Sequence, residues 1–194
     1  LDDAFTVSPQ GGSGYFDGSG DSIDSPTGAD FELDGDYTIE GWIYQTSKDS
    51  GQGVVEVNAY TNGILLRLGT VNSIYDNWYI NGTDYASPSS YFPLNQWNHF
   101  AITRTGSTNY LFANGKQIAS ATVSGDLNSV QGKVRIGAIQ HSGGQEYDGY
   151  ISDVRIIKGT CLYVGTGLFN QVFTPPTAPL TPTSGTSLLL NFTN

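Results

Sequence analysis

Two antiparallel β-sheets packed face to face as a sandwich or jelly roll are what this sequence predicts, on three observations. Short runs of β-branched and aromatic residues alternate with polar ones at a period of two. Turn formers bound these runs, with 25 Gly and 8 Pro among 194 residues. Only 13% of the residues are charged, which suits tight turns between strands better than solvated surface helices.

The alternating runs are Tyr37 to Tyr44, Gly53 to Tyr60, Ile64 to Leu68, Ser73 to Ile80 and Trp97 to Arg104. They continue as Asn109 to Ala113, Gln117 to Val123, Lys133 to Ile139, Gly149 to Ile157 and Ser187 to Phe192. About ten or eleven strands result, enough for two layers. In the first run, Tyr37, Ile39, Gly41 and Ile43 share one face and Thr38, Glu40, Trp42 and Tyr44 the other. Trp42 and Trp97 are expected to be structural, because large aromatics fill sandwich cores.

Asn114-Gly115 between two alternating runs predicts a tight hairpin, since both residues tolerate the positive φ that such turns require. Asn62-Gly63 and Asn81-Gly82 carry the same signal, although the second could equally end a strand before a looser Thr83 to Ser90 segment. Pro175, Pro176, Pro179 and Pro182 cannot donate to a ladder, so residues 173–185 are expected to form an extended strap. The apolar Leu188-Leu189-Leu190 then returns the chain to a final strand, 187–192. Residues 1–194 therefore form a single domain, a length that one core can serve.

The net charge of −10 disfavours nucleic acid, which demands clustered Lys and Arg. Twelve of the 18 acidic residues fall between Asp2 and Glu56, where Lys48 is the only base, so that end repels anionic polymers and attracts cations. A single cysteine, Cys161, excludes an intrachain disulfide and a CxxC pair. No run is long enough to span a membrane as a helix, so membrane insertion is not expected. The lack of Met and of a leader before Leu1 suggests a mature fragment or a domain of a larger polypeptide or assembly.

Four segments, Gly14-Tyr15-Phe16-Asp17-Gly18, Tyr37 to Ile43, Trp97 to Arg104 and Tyr150 to Ile156, together resemble the laminin-G-like branch of the concanavalin A-like lectin and glucanase superfamily. The Phe112-Ala113-Asn114-Gly115 hairpin and the proline strap also fit, and the strap with its closing leucine strand is similar to modules of phage, viral and bacterial surface proteins. The resemblance implies a concanavalin A-like jelly roll, and ligands that include glycans, proteins and lipids.

Sugar recognition joins an aromatic face, which packs against the C–H side of a pyranose, to amides and carboxylates that pair with hydroxyls. The densest such group is Tyr75-Asp76-Asn77-Trp78-Tyr79, with Asp84 and Tyr85 following and Asn58, Tyr60 and Arg67 on neighbouring strands. Alternation sends Tyr75, Asn77 and Tyr79 to one face and Asp76, Trp78 and Ile80 to the other. The first set is expected at the surface and the second in the core.

Asp17-Gly18-Ser19-Gly20-Asp21, followed by Asp24, offers the hard oxygen ligands of Ca²⁺ on a loop, without an EF-hand's glycine and terminal glutamate. The resemblance implies that Asp17 or Asp21 could share such an ion with Asp153. Catalysis is not expected: Glu146-Tyr147-Asp148 begins the Glu-x-Asp-x-x-Glu spacing of retaining glucanases, but position 151 is Ile. There is no Gly-x-Ser-x-Gly elbow for a serine hydrolase. The expected function is non-catalytic carbohydrate binding outside cells or on a virion or cell surface, with neutral glycans preferred. The alternative is a structural or protein-interaction module of a surface assembly.

Overall fold

The computed structural model describes residues 11–48, 51–58, 61–69, 75–88, 91–127, 132–139 and 145–192, with the backbone alone at 75 and 86–88. Its strands are β1 (Gly14–Asp17), β2 (Ile23–Asp24), β3 (Tyr37–Gln45), β4 (Gln52–Val57), β5 (Ile64–Leu68), β6 (Tyr75–Ile80) and β7 (Thr83–Pro88). After these come β8 (Trp97–Thr105), β9 (Thr108–Ala113), β10 (Lys116–Thr122), β11 (Val134–Ile136), β12 (Asp148–Lys158) and β13 (Thr186–Leu190). One 3-10 turn, Ala29–Phe31, interrupts them.

The strands form two antiparallel sheets. The seven-stranded sheet runs β1-β12-β3-β8-β9-β10, with β13 also paired to β12, and the six-stranded sheet runs β2-β11-β4-β5-β6-β7. Two short strands, β1 and β2, are absent from the expected runs, and β7 forms where a looser segment was the alternative. Asn81 (φ 51) and Gly82 (φ 76) supply the hairpin between β6 and β7, as Asn114 (φ 51) and Gly115 (φ 80) do between β9 and β10.

Between the sheets lies a continuous apolar core. Tyr37, Ile39, Ile43, Phe100, Ile102 and Leu111 face Val55, Val57, Ile64, Leu66, Trp78 and Ile80, every one at most 1% exposed. Full burial of such a side chain contributes about 1.5–3 kcal/mol, so this layer dominates the fold's stability.

The second face of β3 is also buried, which alternation alone does not foretell. After β12 the chain runs from Gly159 to Gly185 without regular structure, across the outer face of the seven-stranded sheet. The strap is thus about twice as long as its prolines indicate. It is fastened at several points: Leu162 N–H donates to Thr38 Oγ1 (2.9 Å), Thr103 Oγ1 to the Tyr163 carbonyl (2.7 Å) and Gln117 N–H to the Asn170 carbonyl (3.0 Å). Tyr163 and Phe173 stack with ring centroids 3.6 Å apart. Trp42 is buried beneath this cover beside His99, in an edge-on contact at 5.2 Å, and so lies outside the inter-sheet core.

Under the strap sits Glu40, fully buried. Arg155 donates to Glu40 Oε1 from Nε (3.0 Å) and Nη2 (2.5 Å), and reaches the strap from Nη1 to the Thr181 carbonyl (2.8 Å). Tyr163 donates its hydroxyl proton to Glu40 Oε2 (2.9 Å), and His99 Nε2 lies 3.4 Å from the same oxygen. Burial pushes the Glu40 carboxyl up, but His99 and Arg155 outweigh it and hold the group below the usual carboxylate range. Burial is the main reason the Tyr163 phenol is raised.

Two outcomes follow for stability. A Cβ added at Gly115 would lie 1.9 Å from the Phe173 carbonyl oxygen, at a φ that side chains rarely adopt; Gly115→Ala is expected to cost about 2–3 kcal/mol in urea unfolding. Arg155→Met strands a buried carboxylate and is expected to cost about 3–5 kcal/mol at neutral pH. Because the depressed Glu40 group stabilises above the normal carboxylate range and stops doing so as pH falls through its lowered value, the gap between this variant and wild type should narrow on acidification.

Candidate functional site

The polar side chains singled out on β5 to β7 lie on the outer face of the six-stranded sheet, opposite the one the strap covers. Register sets its residues side by side: Gly53 pairs with Arg67, Arg67 with Asn77 and Asn77 with Ala86; one row along, Leu65 pairs with Tyr79 and Tyr79 with Asp84. The β4 end is closed, because Ala138 and Ile139 lie so near Gly53 that an added Cβ would meet them at 2.7 Å. Further along the face Leu65 is buried, Arg67 and Tyr79 are half-buried and Asp84 is exposed.

The Arg67 guanidinium organises this patch. Its Nη2 donates to the Tyr79 hydroxyl (2.6 Å), its Nη1 donates to Gln145 Oε1 (3.2 Å) and its carbon sits 5.1 Å from the Tyr79 ring centroid. A guanidinium over an aromatic face is attractive in itself and fixes the ring. Asn77 Nδ2 donates to both Asp84 carboxylate oxygens, at 2.9 and 2.8 Å. The result is a fixed tyrosine ring flanked by a guanidinium and a carboxylate. Among the described residues, Arg67 Nε and Asn77 Oδ1 are buried without hydrogen-bond partners. Such groups cost about 1–3 kcal/mol each when nothing satisfies them.

The structure brings Arg67, Asn77, Tyr79 and Asp84 together on one face. Asn77 is nearly buried, at 7% exposure, and positions Asp84 rather than standing at the surface. Asn58 departs from its expected place: it is buried at a left-handed turn (φ 64), and its Nδ2 donates to the Leu127 carbonyl (2.9 Å). Tyr85 pairs in register with Trp78 and so faces inward, its ring 5.8 Å from the indole and against the core. Tyr60 and the Tyr75 side chain lie outside the described residues. Gln145 was missed in the sequence, because it comes from a loop remote from β5 that only the fold returns to Arg67.

Asp153 does not converge with Asp17 or Asp21. Asp17 Oδ1 accepts from Ser19 N–H (2.8 Å) and Asp21 Oδ2 from Asp17 N–H (3.1 Å), so both carboxylates brace their own loop. Asp17 pairs with Asp148 on β12, whose carboxylate accepts from Thr46 Oγ1 (2.6 Å) and Ser47 Oγ (2.9 Å). Asp153 lies five residues further along that strand, roughly 15 Å away at strand rise. It is buried at a bulge (φ 50), its Oδ2 accepts from Leu180 N–H (3.0 Å), and burial pushes its carboxyl up. Among the described residues, no three His, Cys, Asp or Glu side chains could hold a metal ion.

A family model described as the concanavalin A-like lectin/glucanases superfamily matches residues 17–161. Among solved structures, a candidate carbohydrate binding protein from Bacteroides ovatus aligns over 92% of this chain and 50% of its own, at 17% identity and a TM-score of 0.67. The chain thus spans half the length of that protein. Domain 4 of an extracellular arabinanase from Geobacillus stearothermophilus, solved in complex with arabinotriose, aligns over 77% of this chain and 71% of its own, at 16% identity and a TM-score of 0.59. Mouse laminin α1 chain domains LG4-5 align over 84% of this chain and 47% of their own, at 14% identity and a TM-score of 0.57. No curated protein matches the chain.

Proposed function

The chain belongs to the concanavalin A-like lectin/glucanases superfamily, and on that premise we propose that it is a non-catalytic carbohydrate-binding module acting outside cells or at a surface. The observation that carries the reading is the sheet face on which Arg67 holds a half-buried Tyr79 ring while Asn77 holds the exposed Asp84 carboxylate. A tyrosine ring packs against the apolar side of a pyranose, and flanking donors and acceptors pair with its hydroxyls.

Binding rather than turnover is supported by what lies on the face. Beside Tyr79 the described carboxylate is Asp84, which already accepts from Asn77. On the same row Glu56 is fully buried and Asp24 is paired with Arg135 four strands away, whereas glycoside hydrolysis needs two carboxyl groups flanking the bond. The net charge of −10 favours neutral glycans. Asp17 and Asp21 brace their own loop and Asp153 lies apart from them, which supports a sugar contact made without an ion. The two carbohydrate-related neighbours share this fold, which supports the reading by analogy.

Tyr79→Ala removes the platform and leaves the inter-sheet core intact. Isothermal titration with a bound neutral oligosaccharide is expected to show at least about a tenfold loss of affinity, equivalent to about 1.4 kcal/mol, with the thermal midpoint nearly unchanged. Binding should persist in chelator. Equal affinity in the variant, or parallel loss of fold and binding, would remove Tyr79 from the site.

A further inference from the structure

A second aromatic surface lies on the strap, away from β5 and β6. Phe169 is held at φ 68, a left-handed conformation that a bulky residue adopts only where its surroundings impose it. Here Phe169 N–H donates to the Gln117 carbonyl (2.7 Å), Gln117 N–H to the Asn170 carbonyl (3.0 Å) and Asn170 N–H to the Gly167 carbonyl (3.2 Å). Glycine would take this conformation without strain. The phenylalanine ring contributes little burial in return, since the residue is 51% exposed. It lies nearly parallel to Tyr91, with centroids 5.9 Å apart and planes 15° apart, so the two rings make an offset shelf.

Beside the shelf is an open cleft of about 250 Å³ lined by Tyr91, Pro93, Ala113, Asn114, Lys116 and Gln171. That is below the ~300–1,000 Å³ of pockets for drug-sized ligands and suits a single sugar ring. Its lining mixes apolar and polar groups and includes no carboxylate. Gln171 is locked by its Nε2, which donates to the Asn114 (3.0 Å) and Phe173 (2.7 Å) carbonyls. Lys116 has no ion pair among the described residues and brings ammonium donors to the cleft.

We propose that Phe169 and Tyr91 form a second glycan-binding site, with one neutral sugar unit against the rings and its hydroxyls facing Lys116. A purely apolar partner would leave the Lys116 ammonium without use, and an anionic one would meet the molecule's negative field. The site shares no residue with the sheet face around Tyr79. Two sites on one module bind a polymer more tightly than either alone where both engage the same chain.

The test is an NMR titration of isotopically labelled protein with cellohexaose, mannohexaose and xylohexaose, following the Phe169 and Tyr91 rings and the Tyr79 ring separately. In the Arg67→Ala, Tyr79→Ala protein, the Phe169 and Tyr91 signals are expected to shift saturably with one of these sugars. In otherwise wild-type protein, Phe169→Gly should weaken that site at least tenfold while its thermal midpoint stays equal or rises, because the strain is relieved. Tyr79 shifts without any at Phe169 and Tyr91 would overturn the second site and keep the first. Shifts at Phe169 and Tyr91 alone would do the reverse, and no shift anywhere would overturn both. Sedimentation showing self-association that Phe169→Gly abolishes, with no sugar effect on the rings, would reassign the shelf to contact between copies and overturn the proposal.

Discussion

The buried ion pair between Glu40 and Arg155 is the constraint on which the remaining architecture turns. A sheet with a carboxylate in the middle of its outer face must either expose it or provide partners and a lid, because an unpaired buried charge is prohibitive. This chain provides both. Arg155 comes from the next strand in register, Tyr163 and Thr181 come from the strap, and stacked Tyr163 and Phe173 close over the group. The pair is weak as a net source of stability, but it specifies where the strap must lie.

That placement decides which surface is free for recognition. A two-sheet sandwich has two outer faces, and the strap occupies one of them from Thr38 across to Gln117. On the other, Ala138 and Ile139 lie against Gly53 of β4, Leu65 and Asn77 are buried, Arg67 and Tyr79 are half-buried and Asp84 is exposed. Arg67, Tyr79 and Asp84 there reach the surface from rigid, hydrogen-bonded strands, which hold a ligand-binding geometry better than loops do. Register makes the site: Arg67, Asn77, Tyr79 and Asp84 are separated in sequence and contiguous across three strands.

Much of the fold could be read from alternation and turn chemistry. The run Ile64 to Leu68 is β5 to the residue, and Asn114-Gly115 turns as its φ angles require. The division of β6 was legible as well, with Trp78 and Ile80 buried between the sheets. What alternation misses is cover supplied from elsewhere. Trp42 and Glu40 sit on the face that periodicity would expose, and they are buried because an irregular segment lies on them. Strand β2 has two residues, Ile23 and Asp24, too few to show a period, and it pairs only because β11 is there.

The candidate site was less legible for the same reason. Aromatic and amide density pointed to the strands that carry the candidate face, but it could not tell that the Asn58 amide is spent on the Leu127 carbonyl or that Tyr85 points inward. Gln145 and Phe169 lie in loops where no period exists, and their roles emerge from contacts made over long sequence separations. The most direct measurement of the central claim is an array of neutral and acidic glycans probed with the isolated domain. The account predicts discrete hits among neutral oligosaccharides; a blank array with correctly folded protein would contradict it.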